Sequence, residues 1–176
     1  MSLFRTLQSS PATITLFHNA KLPLSNKVYD ILNKTYETLP EKPKYDFQID
    51  LAKNQMPTYD QYQIFVNKFL KTEQSKQTLH NCFPFLHDRQ TELLNSNGKV
   101  ITVKGIDWSN KIFNQHDYQL IYDTFNKLIN ESTDLSIHTN PADIFKAPLV
   151  VDWDQDLLAG DEETLKTLLA KYTNQE

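Results

Sequence analysis

Three segments of the chain have the apolar pattern of β-strands. Residues 13–17 form a run of β-branched and apolar side chains, and 45–51 alternates apolar with polar positions. A third apolar run, 149–153, follows Pro148, and after a short turn the chain returns as 157–159. The pattern therefore predicts four strands, two near each end of the chain.

Apolar residues at helical spacing predict helices between and after these strands. One helix is expected over 26–36, with Ser25 as its N-cap. Asp161 is a favourable N-cap for a further helix at the end of the chain. The order of elements is thus β-α-β at the start of the chain and β-β-α at its end.

The middle of the chain is predicted to be mostly helical. Thr58 and Gln61 have the spacing of a capping box, in which each side chain accepts from a backbone N–H of the other residue. Helix is also expected over 72–97 and over about 118–129, and 100–103 forms a short β-like run. We therefore expect an expanded, largely helical insertion at about 71–130.

These elements predict an α/β fold with one four-stranded mixed sheet. A helix that joins two strands favours parallel pairing with a right-handed crossover, whereas a short turn favours antiparallel pairing. A chain of 176 residues is long enough for one well-buried core. We expect a single domain over 13–176.

Composition excludes several classes of function. The net charge of −4 gives no general attraction to nucleic acid, and no apolar run is long enough to span a membrane. Three glycines cannot build the common glycine-rich phosphate loops, and one cysteine cannot form a disulfide or a Cys-x-x-Cys pair within the chain.

The first residues have the composition of a mitochondrial targeting segment. Arg5 and several hydroxyl residues lie in this stretch, and no acidic residue precedes Asp30. We interpret 1–12 as a short transit peptide, which would place the protein in the mitochondrion.

The only cysteine, Cys82, has two interpretations. His80, His87 and Arg89 lie near it in the sequence and could supply the positive charge that an effective thiolate needs. Cys82 would then be the catalytic residue, with glutathione or a second protein as its resolving partner. Alternatively, Cys82 is a small buried apolar residue.

The spacing of His80, Cys82 and His87 fits no standard zinc pattern, so no metal is expected.

Four motifs occur in a characteristic order: 13–19, 57–61, 148–153 and 158–161. Together they resemble a fungal family of mitochondrial redox proteins with a thioredoxin fold and, more distantly, the arsenate-reductase branch of that superfamily. The resemblance implies a thioredoxin-like fold and thiol-dependent reduction of small molecules. Glutathione would be a co-substrate, and no bound cofactor is expected.

The resemblance also locates a substrate-binding edge. Thioredoxin-like proteins place a proline directly before the third strand, and Pro148 fits that place. Ala147 and Pro148, with His18 and Asn19 at the end of the first strand, are the predicted substrate-binding residues. The alternative is that Pro148 keeps only the geometry of the fold, with His18 as a strand-end hydrogen bonder.

The motif cysteines and arginine of these relatives are absent from this sequence. The loop 20–25 after the first strand contains no thiol, and Ala147 stands where an oxyanion-binding arginine is expected. Arsenate reduction is therefore excluded. The segment 135–141, ahead of the third strand, offers His138 and Thr139 instead of a cysteine.

Three hypotheses follow from the sequence. The first is a mitochondrial oxidoreductase that uses Cys82 or a bound thiol. The second is a redox-inactive thioredoxin-like module that binds a small thiol or a protein partner. The third is a subunit of a larger mitochondrial assembly that makes its contacts through the insertion at 71–130.

Overall fold

A computed structural model describes residues 11–84, 90–95, 97, 99–104, 114–130 and 139–175. The chain divides into two compact units. Unit 1 combines Met1–Lys53 with Pro148–Glu176, and unit 2 is the continuous stretch Asn54–Ala147. Most of the predicted transit peptide, residues 1–10, lies outside the described residues.

The helices and strands follow in this order: β1 (Ala12–His18), α1 (Pro23–Glu37), β2 (Phe47–Lys53), α2 (Tyr59–Ile64), a π-helical turn (Phe65–Phe69), α3 (Glu73–Cys82), β3 (Gln90–Leu94), β4 (Val100–Lys104), α4 (Gln115–Asn130), α5 (Pro141–Ile144), β5 (Leu149–Asp152), β6 (Leu157–Ala159) and α6 (Glu162–Thr173). Among the described residues, no helix is both long enough and apolar enough to cross a bilayer.

Unit 1 is built on a four-stranded sheet with the order β2-β1-β5-β6. Strand β1 pairs in parallel with β2 and antiparallel with β5, and β5 pairs antiparallel with β6. The predicted mixed α/β architecture and the four predicted strands are thus confirmed. The β-α-β and β-β-α halves meet where β1 pairs with β5, in the middle of the sheet.

The core of unit 1 lies between one face of the sheet and the helices α1 and α6. Alternate residues of β1 point to this face because successive side chains of a strand point to opposite sides. Each fully buried large apolar side chain contributes about 1.5–3 kcal/mol relative to an exposed one. The buried residues of this cluster are Ala12, Ile14, Leu16, Val28, Leu32, Phe47, Val150, Ala159, Leu165, Leu168, Leu169 and Tyr172.

The turn between β5 and β6 is organised by Asp152, which is fully buried. Its Oδ1 accepts from the backbone N–H groups of Asp154 and Gln155, at 2.9 and 3.1 Å. Its Oδ2 accepts from the Tyr172 hydroxyl and from Gln155 Nε2, both at 2.6 Å. This carboxylate therefore ties the hairpin to α6 and has a structural role.

Unit 2 begins with the predicted capping box. The N–H of Gln61 donates to Thr58 Oγ1 at 3.2 Å, and the N–H of Thr58 donates to Gln61 Oε1 at 2.9 Å, so the prediction is confirmed. Helix α2 packs through aromatic side chains, and the ring centroids of Tyr62 and Tyr118 are 5.0 Å apart. The hydroxyl of Tyr118 donates to the Pro57 carbonyl at 2.5 Å.

Part of the predicted helix over 72–97 is wrong. Among the residues of this range that the structure describes, the α-helix is Glu73–Cys82, and Gln90–Leu94 forms β3, which pairs antiparallel with β4. The β-like run at 100–103 is confirmed as part of β4. Strand β3 is held by tertiary contacts with α4. The Leu94 N–H donates to Thr124 Oγ1 at 2.9 Å, and the Thr124 hydroxyl donates to the Leu94 carbonyl at 3.3 Å. The insertion is therefore not wholly helical.

Candidate functional site

The carboxyl end of β1 brings several polar side chains of unit 1 together. His18 is paired with Lys53 in the parallel β1–β2 ladder. The last pair of the β1–β5 ladder is Phe17 with Leu149, so His18 and Pro148 are the next residues of their strands at the same end of the sheet. We call the following group the β1-end site: His18, Asn19, Ser25, Lys53 and Pro148.

His18 is held by a buried hydrogen bond to α1. Its Nδ1 lies 2.7 Å from Ser25 Oγ, and the same oxygen accepts from the Asn19 N–H at 3.0 Å. Ser25 is fully buried, so its own hydroxyl proton needs an acceptor nearby. The arrangement that satisfies every group has Ser25 donating to Nδ1, which leaves the imidazole proton on Nε2.

The Nε2 atom of His18 is the donor that this arrangement offers to a ligand. Ser25 supplies the hydrogen-bond partners of the imidazole among the described residues, and neither ring nitrogen is a buried atom without a partner. The ring is 6% exposed and stacks on Tyr29 with 4.9 Å between ring centroids. The imidazole is therefore fixed in orientation, with its N–H at the edge of the site.

The electrostatic surroundings keep His18 neutral. Burial lowers its pKa from the usual 6.5, and the positive charge of Lys53 lowers it further. The carboxylate of Asp30 on α1 and a hydrogen bond from the imidazole to the backbone of Ser25 raise the pKa without outweighing these effects. Above pH 6.5 the site therefore presents a neutral N–H donor beside the ammonium group of Lys53.

The start of α1 differs from the sequence prediction. Ser25 is not the N-cap, because the helix begins at Pro23 with Leu22 in the capping position. Leu22 has no capping side chain, and its N–H bonds the Asn19 carbonyl at 3.0 Å. Pro23 suits the first helical position because its ring fixes φ and its missing N–H would have no helical partner there. Ser25 is thereby moved inside the first turn, where it reaches His18.

Cys82 lies in unit 2, as the last residue of α3, and it is buried. Its carbonyl accepts from the Lys146 N–H at 2.8 Å. Among its sequence neighbours, His87 and Arg89 lie outside the described residues.

The predicted substrate-binding residues divide between the two units. His18, Asn19 and Pro148 come together at the β1-end site. Ala147 belongs to unit 2, where it is buried and follows the residue that bonds Cys82. His138, which replaces the expected cysteine ahead of β5, lies outside the described residues.

Two members of the site were not predicted from the sequence. Lys53 was missed because its relevance depends on the register that pairs it with His18. Ser25 was considered only as a cap. It lies seven residues after His18, and a short loop followed by the first turn of α1 brings it back to the end of β1. In the part of the chain that the structure describes, no three His, Cys, Asp or Glu side chains could hold a metal ion.

The fold and the site define a mixed α/β protein with a histidine-centred group at the end of its first strand. The chain belongs to the family described as "Protein of unknown function (DUF1687)", whose model matches residues 4–161. The match includes the six described strands and ends at Asp161, directly before α6. No significant match was found among curated proteins or among solved structures.

Proposed function

We propose that this protein is a binding module on a thioredoxin-like fold and that it takes a small anionic ligand at the β1-end site. The strand order β2-β1-β5-β6 supports this fold, together with the β-α-β and β-β-α halves and the proline directly ahead of β5. The function rests on one observation: Ser25 holds the His18 imidazole at the end of β1, where the charge of Lys53 on β2 acts on it.

The chemistry of the site suits the binding of a carboxylate better than it suits catalysis by disulfide exchange. A neutral N–H donor and an ammonium group both bind carboxylate oxygens. The first turn of α1 contains no acidic residue, and Asp30, further along the helix, is the carboxylate whose charge acts on His18. The loop 20–25 has no thiol, so disulfide exchange is not available at this site. Glutathione, a small peptide with two carboxylates, is a suitable probe.

The proposal is tested by titrating the isotope-labelled protein with reduced glutathione and, separately, with S-methylglutathione. We expect both compounds to shift the amide signals of His18, Asn19 and Lys53, because binding uses carboxylates and not the thiol. Lys53→Gln should weaken binding about two- to fivefold, the range for one exposed charge pair. Lys166→Gln, which removes an exposed charge on α6, is the matched control.

Two results would overturn this proposal. One is the absence of shifts at these three amides at saturating ligand. The other is an equal loss of affinity in Lys53→Gln and Lys166→Gln, which would show a general effect of net charge.

Thiol-dependent reduction in the mitochondrion is the second candidate, and the position of Cys82 favours it. The bond between the Cys82 carbonyl and the Lys146 N–H holds the thiol-bearing residue beside the segment that leads into β5. The family resemblance places a catalytic cysteine earlier in the same approach to β5, at about 135–141. In this mechanism the Cys82 thiolate would attack glutathione disulfide, forming a mixed disulfide and releasing one glutathione thiolate.

Mass spectrometry after incubation with glutathione disulfide separates the two candidates. A binding module should form no mixed disulfide in the folded state, and Cys82 should be modified only when the chain is unfolded. Formation of the mixed disulfide at a rate that rises with pH in the folded protein, and its loss in Cys82→Ala, would establish the redox function instead.

A further inference from the structure

Among the described residues, strand β2 is an outer strand of the unit 1 sheet and pairs on one side only, with β1. The N–H of Ala12 bonds the Asp46 carbonyl at 2.9 Å, which sets the alternation of the ladder. In a parallel ladder, every second residue of a strand directs both backbone groups to the same neighbour. Asp46, Gln48 and Asp50 therefore bond toward β1, and Phe47, Ile49 and Leu51 direct their backbone groups outward.

The outward backbone groups are only partly protected. The N–H of Phe47 is occupied by its neighbour's carboxylate, since it donates to Asp46 Oδ1 at 2.8 Å. Neither the N–H of Ile49 nor that of Leu51 has a hydrogen-bond partner among the described residues. Unpaired groups of this kind can form main-chain hydrogen bonds with another extended segment.

The two faces of β2 have different chemistry beside this edge. On the face shared with α1, the Leu51 side chain is 39% exposed and Ile49 is half-buried. On the opposite face, Gln48 and Asp50 are exposed, and Asp50 Oδ2 accepts from the Thr15 hydroxyl at 3.1 Å. An added strand would thus meet apolar side chains on one face and, on the other, the carboxylates of Asp46 and Asp50 with Gln48 between them.

We propose that the outer edge of β2 docks an extended polypeptide segment in which apolar residues alternate with lysine or arginine. The backbone of the segment would bond Ile49 and Leu51, as in other cases of strand addition. Its apolar side chains would cover Leu51, and its basic side chains would lie opposite Asp46 and Asp50.

Charge argues against a second copy of the chain as the occupant of this edge. A second copy would bring its own Asp46 and Asp50 to the acidic face, and the chain carries a net charge of −4. Like charges on directly opposing or adjacent strand positions are destabilising. A basic partner is instead attracted both by the carboxylates of Asp46 and Asp50 and by the net negative charge of the chain.

The test uses a capped peptide of alternating lysine and valine, seven residues long in analogy to β2. Binding is followed by the amide signals of the labelled full-length protein and by the hydrogen exchange of the Ile49 and Leu51 N–H groups. We expect both amides to exchange about tenfold more slowly with saturating peptide, because unpaired edge amides become hydrogen-bonded. Asp50→Lys should abolish binding of this peptide and allow binding of the glutamate–valine counterpart.

Controls separate strand addition from general attraction between charges. A peptide of the same sequence with N-methyl groups on alternate amides cannot pair as a strand, so it should not bind. Leu51→Pro removes an outward N–H at an edge position and should weaken binding, and Asp123→Lys, on α4 of unit 2, should not.

The proposal is overturned if the N-methylated peptide binds equally well or if Asp123→Lys weakens binding as much as Asp50→Lys does. It is also overturned if sedimentation shows a dimer in which Ile49 and Leu51 are already protected without peptide. In that case a second copy occupies the edge.

Discussion

At the scale of single residues, His18 connects the sequence to the chemistry of the β1-end site. Its position at the end of β1 follows from the local pattern, but its orientation comes from Ser25 and Tyr29 on α1. A buried imidazole that accepts a hydrogen bond is stabilised in its neutral form. Protonation would turn Nδ1 into a donor facing an oxygen that already accepts from Asn19.

The pH dependence of folding tests this arrangement. The pKa of His18 in the folded chain is below the usual 6.5 because of burial and Lys53, with Asp30 opposing. The unfolded chain therefore takes up a proton first, and stability should be full above pH 6.5 and fall as pH drops through the folded pKa. Chemical denaturation between pH 7.5 and pH 5, values spanning about 6.5, should show a smaller loss in His18→Phe.

The difference between the two pH profiles is the relevant quantity, because it isolates the contribution of His18. If wild type and His18→Phe lose the same stability over this range, His18 is not the residue that couples protonation to folding.

Asp152 gives a second test at the residue scale. Burial raises the pKa of Tyr172 above its usual value, as does the hydrogen bond to Asp152, so Tyr172 stays protonated and donates. Tyr172→Phe removes one donor from a buried carboxylate and should cost about 1–3 kcal/mol in the free energy of unfolding. Tyr36→Phe, on an exposed ring, should change it by less than about 0.5 kcal/mol. Equal effects in urea denaturation would contradict this role of Asp152.

At the scale of elements, the most reliable local signals are the helix caps. Thr58 and Asp161 both act as caps, and in each case a polar side chain binds the N–H three residues later. Ser25 fails as a cap because Pro23 already starts the helix. The type of residue thus indicates a helix start only when no stronger start signal precedes it.

The cap of α6 can be tested by substitution. Asp161 Oδ1 accepts from the Thr164 N–H at 2.8 Å, and Asp161→Ala should destabilise the chain by about 0.5–2 kcal/mol. Asp161→Asn keeps an acceptor at the same position and should cost much less. Comparable losses in the two variants, measured by thermal unfolding, would show that the charge matters and the hydrogen bond does not.

The strand β3 shows how tertiary contacts override local tendency. The segment 72–97 contains enough good helix formers to suggest one continuous helix, yet the helix ends at Cys82. In β3, Leu93 and Leu94 are buried, and the backbone of Leu94 is bonded by Thr124 of α4. These contacts join residues that are 30 positions apart, so they leave no trace in a local window.

At the scale of the whole molecule, stability depends on the cores of the two units. Leu168 is fully buried in the unit 1 cluster, and Leu168→Ala should lower the free energy of unfolding by about 2–5 kcal/mol. Lys166→Ala, on the exposed side of the same helix, should change it by less than about 0.5 kcal/mol. A small loss in Leu168→Ala would mean that this part of the core is loosely packed.

The sequence by itself determined the four strands of unit 1, their β-α-β and β-β-α order, and the caps at Thr58 and Asp161. These features depend on side-chain alternation and on hydrogen bonds between residues a few positions apart, so they can be predicted from a short stretch of sequence. The family resemblance also implied His18, Asn19 and Pro148 as substrate-binding residues, and the structure places the three at one end of the sheet.

The tertiary structure alone decided the rest. The register of β1 with β2 brought Lys53 beside His18, and the start of α1 at Pro23 turned Ser25 into its hydrogen-bond partner. Packing against α4 made a strand of Gln90–Leu94. Burial placed Cys82 at the end of a helix in unit 2. Each outcome depends on contacts between residues that are distant in sequence. The free energy of such contacts cannot be inferred from a short stretch of the chain.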